Sequence, residues 1–401
     1  MFLRFLKEKN PELIDYGAYL LEEGKIGPDT YILDLDAIES NARRLLRTAA
    51  EHNITLYFMA KQIGRNPLVS RRVLECAEDI RTGGAYSQAS FAGMVAVDYR
   101  EALSLHKAGL PVKHIGHLGQ LPRHFIGKAL DMRAEVITLY SLEKARDLSS
   151  RALDRGMVQD VLLRIWDEGD IFYQSQEGGF PLRGLEKTIE DLRPLKGIRV
   201  AGLTSFPCFL YDEQQRKALP TPNAETLRKG AGMLRAMGIV PEQINMPSCN
   251  SRRTIPLAAE LGATHAEPGH SLTGTSPDNP FDPEPFTPAL VYVSEISHHH
   301  GDTSCCYGGG FYRRSNMRRA LIKDGPDYIE ASVNPPPCEA IDYYFQIQGS
   351  YPVSSPVIMS FRTQIFVTRS AVALVDGISR SKPSLLGIWD SQGNPVSGAF
   401  I

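Results

Sequence analysis

Two short stretches of this chain hold side chains of the kind that does covalent chemistry on a carbonyl. In the first, the apolar run Thr55-Leu-Tyr-Phe-Met-Ala-Lys61 delivers one lysine into the polar segment Gln-Ile-Gly-Arg-Asn-Pro67. Desolvation at the carboxyl end of a buried strand lowers the cost of the neutral amine and lets it attack a carbonyl to give a Schiff base. On its own, Lys61 is also what a surface lysine capping an ordinary strand looks like. The second stretch, Ala263-Thr-His-Ala-Glu-Pro-Gly-His-Ser-Leu-Thr-Gly274, sets Glu267 directly before Pro268-Gly269 and a hydroxyl- and glycine-rich turn. A carboxylate there would hold an aromatic nitrogen cation. The following backbone N–H groups, which glycine lets approach closely, would hold a phosphate. An amine for an aldehyde, an acid for a ring nitrogen and donors for a phosphate are together what pyridoxal phosphate needs.

Groups this far apart in sequence converge only if a scaffold carries them to one end. From Tyr31 onward, β-rich runs alternate with amphipathic helical patterns such as Leu142–Leu148 and Glu225–Leu234. The runs are Tyr31–Asp36, Thr55–Lys61, Asp79–Gly83, Val112–Leu118, Glu135–Tyr140, Val161–Trp166, Gly197–Thr204, Gln243–Met246 and Thr264–Glu267. Repeated strand–helix units imply a parallel sheet, and about eight of them close into an α/β (β/α)8 TIM barrel with its active groups at the carboxyl ends of the strands. A doubly wound open sheet is the alternative, but Asp34-Leu-Asp36 stands where its glycine-rich dinucleotide loop would follow the first strand. The proline-rich segment Ser276–Pro288 then ends the barrel, because it cannot sustain a helix. Runs at Ala289–Ser297, Asp342–Gln348, Arg362–Thr368 and Ser370–Asp376 read as strands of a C-terminal β-rich domain. The expected division is a helical segment over 1–28 packing on the C-terminal domain, a cofactor-binding barrel over 29–275 and the β-domain over 276–401.

Composition narrows the partners. With 401 residues, 42% of them hydrophobic, and a net charge of -2, the chain has ample core and no basic footprint for nucleic acid or an anionic membrane. Charge interrupts the opening Met-Phe-Leu-Arg-Phe-Leu-Lys within four residues, so it does not read as a signal peptide, and the expected location is cytoplasmic. The cysteines, Cys76, Cys208, Cys249, Cys305, Cys306 and Cys338, are scattered and form no Cys-x-x-Cys pair, so reduced thiols are expected.

At the residues named so far the chain resembles the fold-type III pyridoxal-phosphate enzymes, the alanine racemase and ornithine decarboxylase superfamily, and looks like a bacterial branch of it. The resemblance implies that Lys61 bears the cofactor. Arg65 falls where alanine racemases place a phosphate-touching tyrosine, and arginine suits a phosphate equally; a solvated loop charge would look the same. Arg164 in Arg164-Ile-Trp-Asp-Glu-Gly-Asp sits where relatives carry an inward Lys or Arg, implying a structural or carboxylate-orienting role. In Gly202-Leu-Thr-Ser-Phe206, Ser205 takes the place of the family's ring-contacting histidine, with His114 and His117 as candidates to compensate. The segment Pro247-Ser-Cys-Asn-Ser-Arg252 matches a phosphate turn, by Asn250 and Ser251 or by the rival Ser248, and Gly269 and His270 match a second phosphate loop. Glu267 occupies the position at which alanine racemases carry arginine. A carboxylate there favours the protonated pyridinium, a stronger electron sink, as in the decarboxylases.

The C-terminal part resembles the racemases instead. Cys305-Cys306-Tyr307-Gly308 is similar to their Ser-Tyr-Gly segment, whose tyrosine is a second catalytic base reaching into the partner subunit's barrel. Arg362 replaces the acid of their Met-Asp-Gln segment and would bind a substrate carboxylate or brace its strand. His298-His-His300 with Cys305 or Cys306 has the donor types for a zinc-like ion, which some D-amino-acid aldolases and dehydratases of this fold use. The spacing reproduces no such motif, so no metal ligand is assigned. The expected protein is thus a homodimeric, racemase-like or epimerase-like enzyme acting at Cα of an amino acid through Lys61 and Tyr307, with its active site shared between subunits. Decarboxylation, a metal-assisted D-hydroxyamino-acid lyase and a non-catalytic pyridoxal-phosphate-binding protein are the rivals.

Overall fold

The protein, a computed structural model describing residues 1–82, 91–337 and 339–396, divides into two compact units, each assembled from separated stretches of chain. One unit contains Met1–Ala42, Ala60–Val69 and the chain from His270 on; the other contains Arg43–Met59 and Ser70–Gly269. Gly83 and Cys338 lie outside the described residues.

The first run of the expected alternation, Tyr31–Asp36, does not enter the barrel. It forms β1 (Thr30–Asp34), which lies in the first unit's sheet between an antiparallel neighbour at Leu290–His300 (Tyr31↔Tyr292) and a parallel one at Ala371–Asp376 (Tyr31↔Val372). All five of its residues are buried: Tyr31, Ile32 and Leu33 suit a strand paired on both edges, and the polar ends are satisfied by Thr30 Oγ1 donating to Gly27 O (2.7 Å) and Asn10 Nδ2 donating to Asp34 Oδ2 (2.8 Å).

In the second unit eight parallel strands close on themselves: β2 (Thr55–Met59), β3 (Phe91–Ala96), β4 (Val112–Ile115), β5 (Val136–Leu139), β6 (Gln159–Trp166), β7 (Ile198–Thr204), β8 (Gln243–Asn245) and β9 (His265–Ala266). Closure comes from β9 pairing with β2, with His265 beside Thr55. Tyr57, Met59, Val95, Val136, Leu162 and Ala201 form one buried cluster drawn from five strands, the packed interior that such a barrel requires. The run Asp79–Gly83, expected as a strand, is a second correction: Asp79–Thr82 end the helix Pro67–Thr82. Burial at Val69, Val73, Cys76, Ala77 and Ile80 follows a period near 3.6, so the apolar face of a helix outweighs the local β-rich texture, and the barrel strand comes later, at β3.

In the first unit, β10 (Leu290–His300), β11 (Thr303–Tyr307), β12 (Arg319–Asp324), β13 (Asp327–Asn334), β14 (Tyr344–Gln348) and β15 (Pro356–Met359) close a hydrogen-bonded ring in the order β10-β11-β14-β13-β12-β15. β1, then β16 (Ala371–Asp376) and β17 (Ser384–Trp389), extend the sheet from β10. Helices Phe2–Lys9 and Pro11–Glu22 cover it, with Leu3, Leu6, Leu13 and Ile14 packed in one core with Ile32, Val291, Val293 and Ile358. Arg362–Thr368 is not the strand expected; Ile365–Val367 forms a single 3₁₀ turn. Gly64 packs on that turn with φ +61, and a Cβ there would meet Ile365 at 3.0 Å and Val372 at 3.1 Å. That contact fixes the 3₁₀ turn Lys61–Ile63, in which Ala60 O accepts from the N–H groups of Ile63 and Arg65.

Candidate active site

In the barrel unit the chemistry gathers at the carboxyl ends of the strands. Glu267 follows β9 with its side chain wholly out of solvent. Its Oε1 accepts from Asn245 Nδ2 (2.6 Å) on β8 and from His114 Nδ1 (2.6 Å) on β4, and His114 Nε2 meets Thr138 Oγ1 of β5 at 2.6 Å. His117 Nδ1 lies 2.9 Å from Oε2, yet among the described residues no hydrogen bond of acceptable angle reaches that oxygen, and Asn245 Oδ1 is a second buried acceptor without a donor among them. Burial by itself would raise the Glu267 pKa, but the His117 and His114 imidazoles outweigh it and hold the carboxyl below its ordinary range. The backbone is fixed as well: Glu267 N–H donates to Asn250 Oδ1 (2.8 Å), Asn250 Nδ2 donates to Met246 O (2.9 Å), and Met59 N–H donates to Pro268 O (3.1 Å). Next to Glu267, His265 stacks on Tyr57 at 5.2 Å, and burial, reinforced by His114, lowers its pKa to about 4.

Around this centre lie the other barrel residues singled out above. Arg164 on β6 is 1% exposed; it donates from Nη1 to Tyr140 Oη (3.1 Å) and from Nη2 to Gln176 O (2.5 Å), while its buried Nε has no partner among the described residues. Ser205 Oγ accepts from Asn223 Nδ2 (3.2 Å), and Phe206 meets the His117 ring edge to face at 5.1 Å. Ser248 donates to Phe209 O (2.8 Å), and Ser251 Oγ accepts from Arg253 N–H (3.3 Å) in the turn that opens the helix Thr254–Glu260. Gly269 closes the stretch belonging to this unit.

The first unit holds the second group. Lys61, two residues beyond β2, is 7% exposed. His270 lies in the single helical turn His270–Thr273; its Nε2 accepts from Arg362 Nε (3.2 Å) and its Nδ1 contacts Thr275 Oγ1 (3.1 Å), so the ring carries its proton on Nδ1. Burial, then the positive charges of Arg362, Lys61 and Arg314, push its pKa well below the usual range. Arg65 faces a different set of groups: Nη1 donates to Gln392 Oε1 (2.5 Å) and the guanidinium lies 5.0 Å from the Phe366 ring. Tyr307 ends β11 with 36% exposure, and its carbonyl accepts from Ser294 Oγ (2.6 Å).

A family model described as alanine racemase, N-terminal domain, matches residues 33–277. The chain belongs to the alanine racemase family of fold-type III pyridoxal-phosphate enzymes. A second model, described as YhfX-like, C-terminal domain, matches residues 291–385. The uncharacterized protein YhfX of Escherichia coli K12 is 44% identical over 398 residues, which is 99% of this chain and 100% of that one. Two solved structures share the fold at low identity. They are D-threonine aldolase from Filomicrobium marinum (TM-score 0.66, 15% identical, 92% of this chain and 96% of that one) and alanine racemase from Clostridium difficile 630 (TM-score 0.60, 16% identical, 91% and 99%).

Within this alanine racemase family member, the structure brings Glu267, Asn250, His114 and His117 together in one unit and Lys61, His270 and Arg362 in the other. Sequence reasoning missed Asn245 and Thr138. For Thr138 the available signal was a hydroxyl inside the otherwise apolar strand β5, since buried polar groups need partners; Asn245 shares β8 with Gln243 and stands out less. His298–His300 run along β10 exposed, with the His298 ring against Tyr344 at 4.8 Å and His299 Nε2 at 2.7 Å from Tyr351 O. Among the described residues no group of three His, Cys, Asp or Glu side chains converges as a metal site.

Proposed function

We infer that this protein binds pyridoxal phosphate through Lys61 and moves a proton at Cα of an amino acid, as a racemase or epimerase. The observation that carries the reading is Glu267: a fully buried carboxylate kept ionised, with Oε2 accepting no well-aligned bond. A protonated ring nitrogen is the donor such an oxygen lacks, and Asn245 Oδ1 is a second acceptor in the same buried cluster, so the residues present fit the cofactor. When bound, pyridoxal phosphate supplies an aldehyde for Lys61 and a ring that takes up the electron pair left at Cα.

The chain's own residues supply the rest. Glu267 keeps the proton on the ring nitrogen. With the cofactor bound, Lys61 Nζ would take and return the proton at Cα on one face and Tyr307 Oη on the other, and two bases are what inversion requires. Asn250, with Ser248 or Ser251 beside it, and the backbone of Gly269 and His270 take the phosphate. Ser205 would lie against the ring, and Arg362 and Arg164 would orient the substrate carboxylate. Arg65 braces Gln392 and Phe366 and stays open as a further phosphate contact. Two subunits share each site, each giving its Tyr307 to the other.

The test is deuterium uptake at Cα from D₂O with the protein and pyridoxal phosphate across D- and L-amino acids. The account expects uptake accompanied by loss of optical purity for at least one amino acid. Release of carbon dioxide with stereochemistry intact would make the protein a decarboxylase. Chelator-sensitive cleavage of β-hydroxy amino acids would make it a lyase, and bound cofactor without turnover would make it a carrier.

A further inference from the structure

The Glu267 surroundings hold more than a ring-nitrogen acceptor requires. Oε1 already receives two donors, from Asn245 on β8 and His114 on β4, and the far nitrogen of His114 is held by Thr138 on β5. A carboxylate oxygen with two short bonds is saturated, so a ligand donor is left Oε2. Thr138 can donate to a neutral His114 or accept from a charged one, so the imidazole keeps its brace in either state. A carboxyl buried this deeply without donors would hold its own proton and present O–H rather than O⁻.

We propose that His114, braced by Thr138, is a positioning residue that holds Glu267 ionised and leaves its Oε2 as the acceptor for a protonated ring nitrogen. This rests on the cofactor reading above, but its first consequence needs no cofactor. His117 lies nearest the other oxygen at 2.9 Å, and His265, Tyr57, Tyr140 and Cys208 are within electrostatic reach of Glu267. His114 both bonds the carboxylate and is itself anchored by Thr138 on another strand.

The test compares wild type with His114→Leu, which removes the donor, His114→Asn, which keeps an N–H near the Nδ1 position, and Thr138→Val, a milder change that removes only the brace. In the cofactor-free protein carrying ¹³C-labelled glutamate, difference infrared spectroscopy between pH 5 and pH 8 reports a protonated buried carboxyl directly. The inference expects that signal in His114→Leu, weaker in Thr138→Val, and absent from wild type and His114→Asn. In the loaded protein, wild type should bind pyridoxal phosphate more tightly than its carbocyclic analogue, which has C–H in place of the ring nitrogen. His114→Leu should shrink that preference at least about tenfold, equivalent to one pK unit, and His114→Asn should restore it. An ionised Glu267 in His114→Leu, or an undiminished preference, overturns the proposal. If wild type binds neither compound, the cofactor reading fails while the infrared result still decides the role of His114.

Discussion

His265 sets an acid limit on the barrel unit. Burial first, then the neighbouring His114, lowers its pKa to about 4, against about 6.5 for a solvated imidazole. Between those values the unfolded chain binds a proton that the folded one refuses, so the contribution is present above pH 6.5 and is lost as pH falls toward 4. The loss amounts to roughly 3 kcal/mol at most. His265→Phe keeps a ring against Tyr57 and removes the titration. Urea midpoints at pH 7.5 and pH 5 should therefore converge in the variant relative to wild type; an unchanged gap would show that another group carries the dependence. At this scale the sequence displayed Lys61 and Glu267 because lysine and glutamate are conspicuous at the ends of apolar runs. Asn245 and Thr138 were not legible, because their meaning comes from β8, β5 and β4 meeting around one carboxylate, and that closeness is not written in spacing.

At the scale of elements, the segment after β11 shows how the strand's end is held. Asp29 Oδ1 accepts from Tyr292 Oη (2.8 Å) and Ser370 Oγ (2.5 Å), and Gly309, at φ +137, packs so closely on Asp29 that a Cβ would collide with the carboxylate. Tyr31 Oη donates to Gly310 O (2.5 Å), which ties the same segment to β1. Burial raises the Asp29 pKa to about 7, only partly offset by the Ser370 and Tyr292 bonds and by Arg369. The folded state then holds a proton that the unfolded state releases from about pH 4 upward, so this stabilisation is complete below pH 4 and fades as pH rises through 7. The loss is up to roughly 4 kcal/mol. Asp29→Asn keeps both accepted bonds and should flatten the fall in Tm between pH 4.5 and pH 8; a fall as steep as that of wild type would exclude Asp29 as its source. Seven of the eight barrel strands were legible as short β-rich runs between helical patterns, whereas β3 (Phe91–Ala96) was missed and its place given to Asp79–Gly83. The exceptions are physical: β1 is as apolar as a barrel strand but takes its partners from another sheet, and Asp79–Thr82 obey a helical period begun twelve residues earlier.

At the scale of the whole molecule, the chain passes between its two units four times, and Lys61 and Glu267 each lie two residues from one of those passages. Composition and periodicity do not display such interleaving. If each site takes Lys61 from one subunit and Tyr307 from the other, mixed dimers of two inactive variants should recover activity. Lys61→Ala and Tyr307→Phe, unfolded and refolded together, should yield about a quarter of wild-type turnover, since half the dimers are hybrids with one intact site each. Turnover no higher than that of the separate variants would place both residues of a site on one chain.

The central claim is that Lys61 carries the cofactor. Borohydride reduction of the protein with pyridoxal phosphate, followed by digestion and mass spectrometry, addresses it directly. The account predicts a reduced pyridoxyl adduct on the peptide containing Lys61, absent from Lys61→Ala. No adduct, or one distributed over other lysines and unaffected by the substitution, would contradict it.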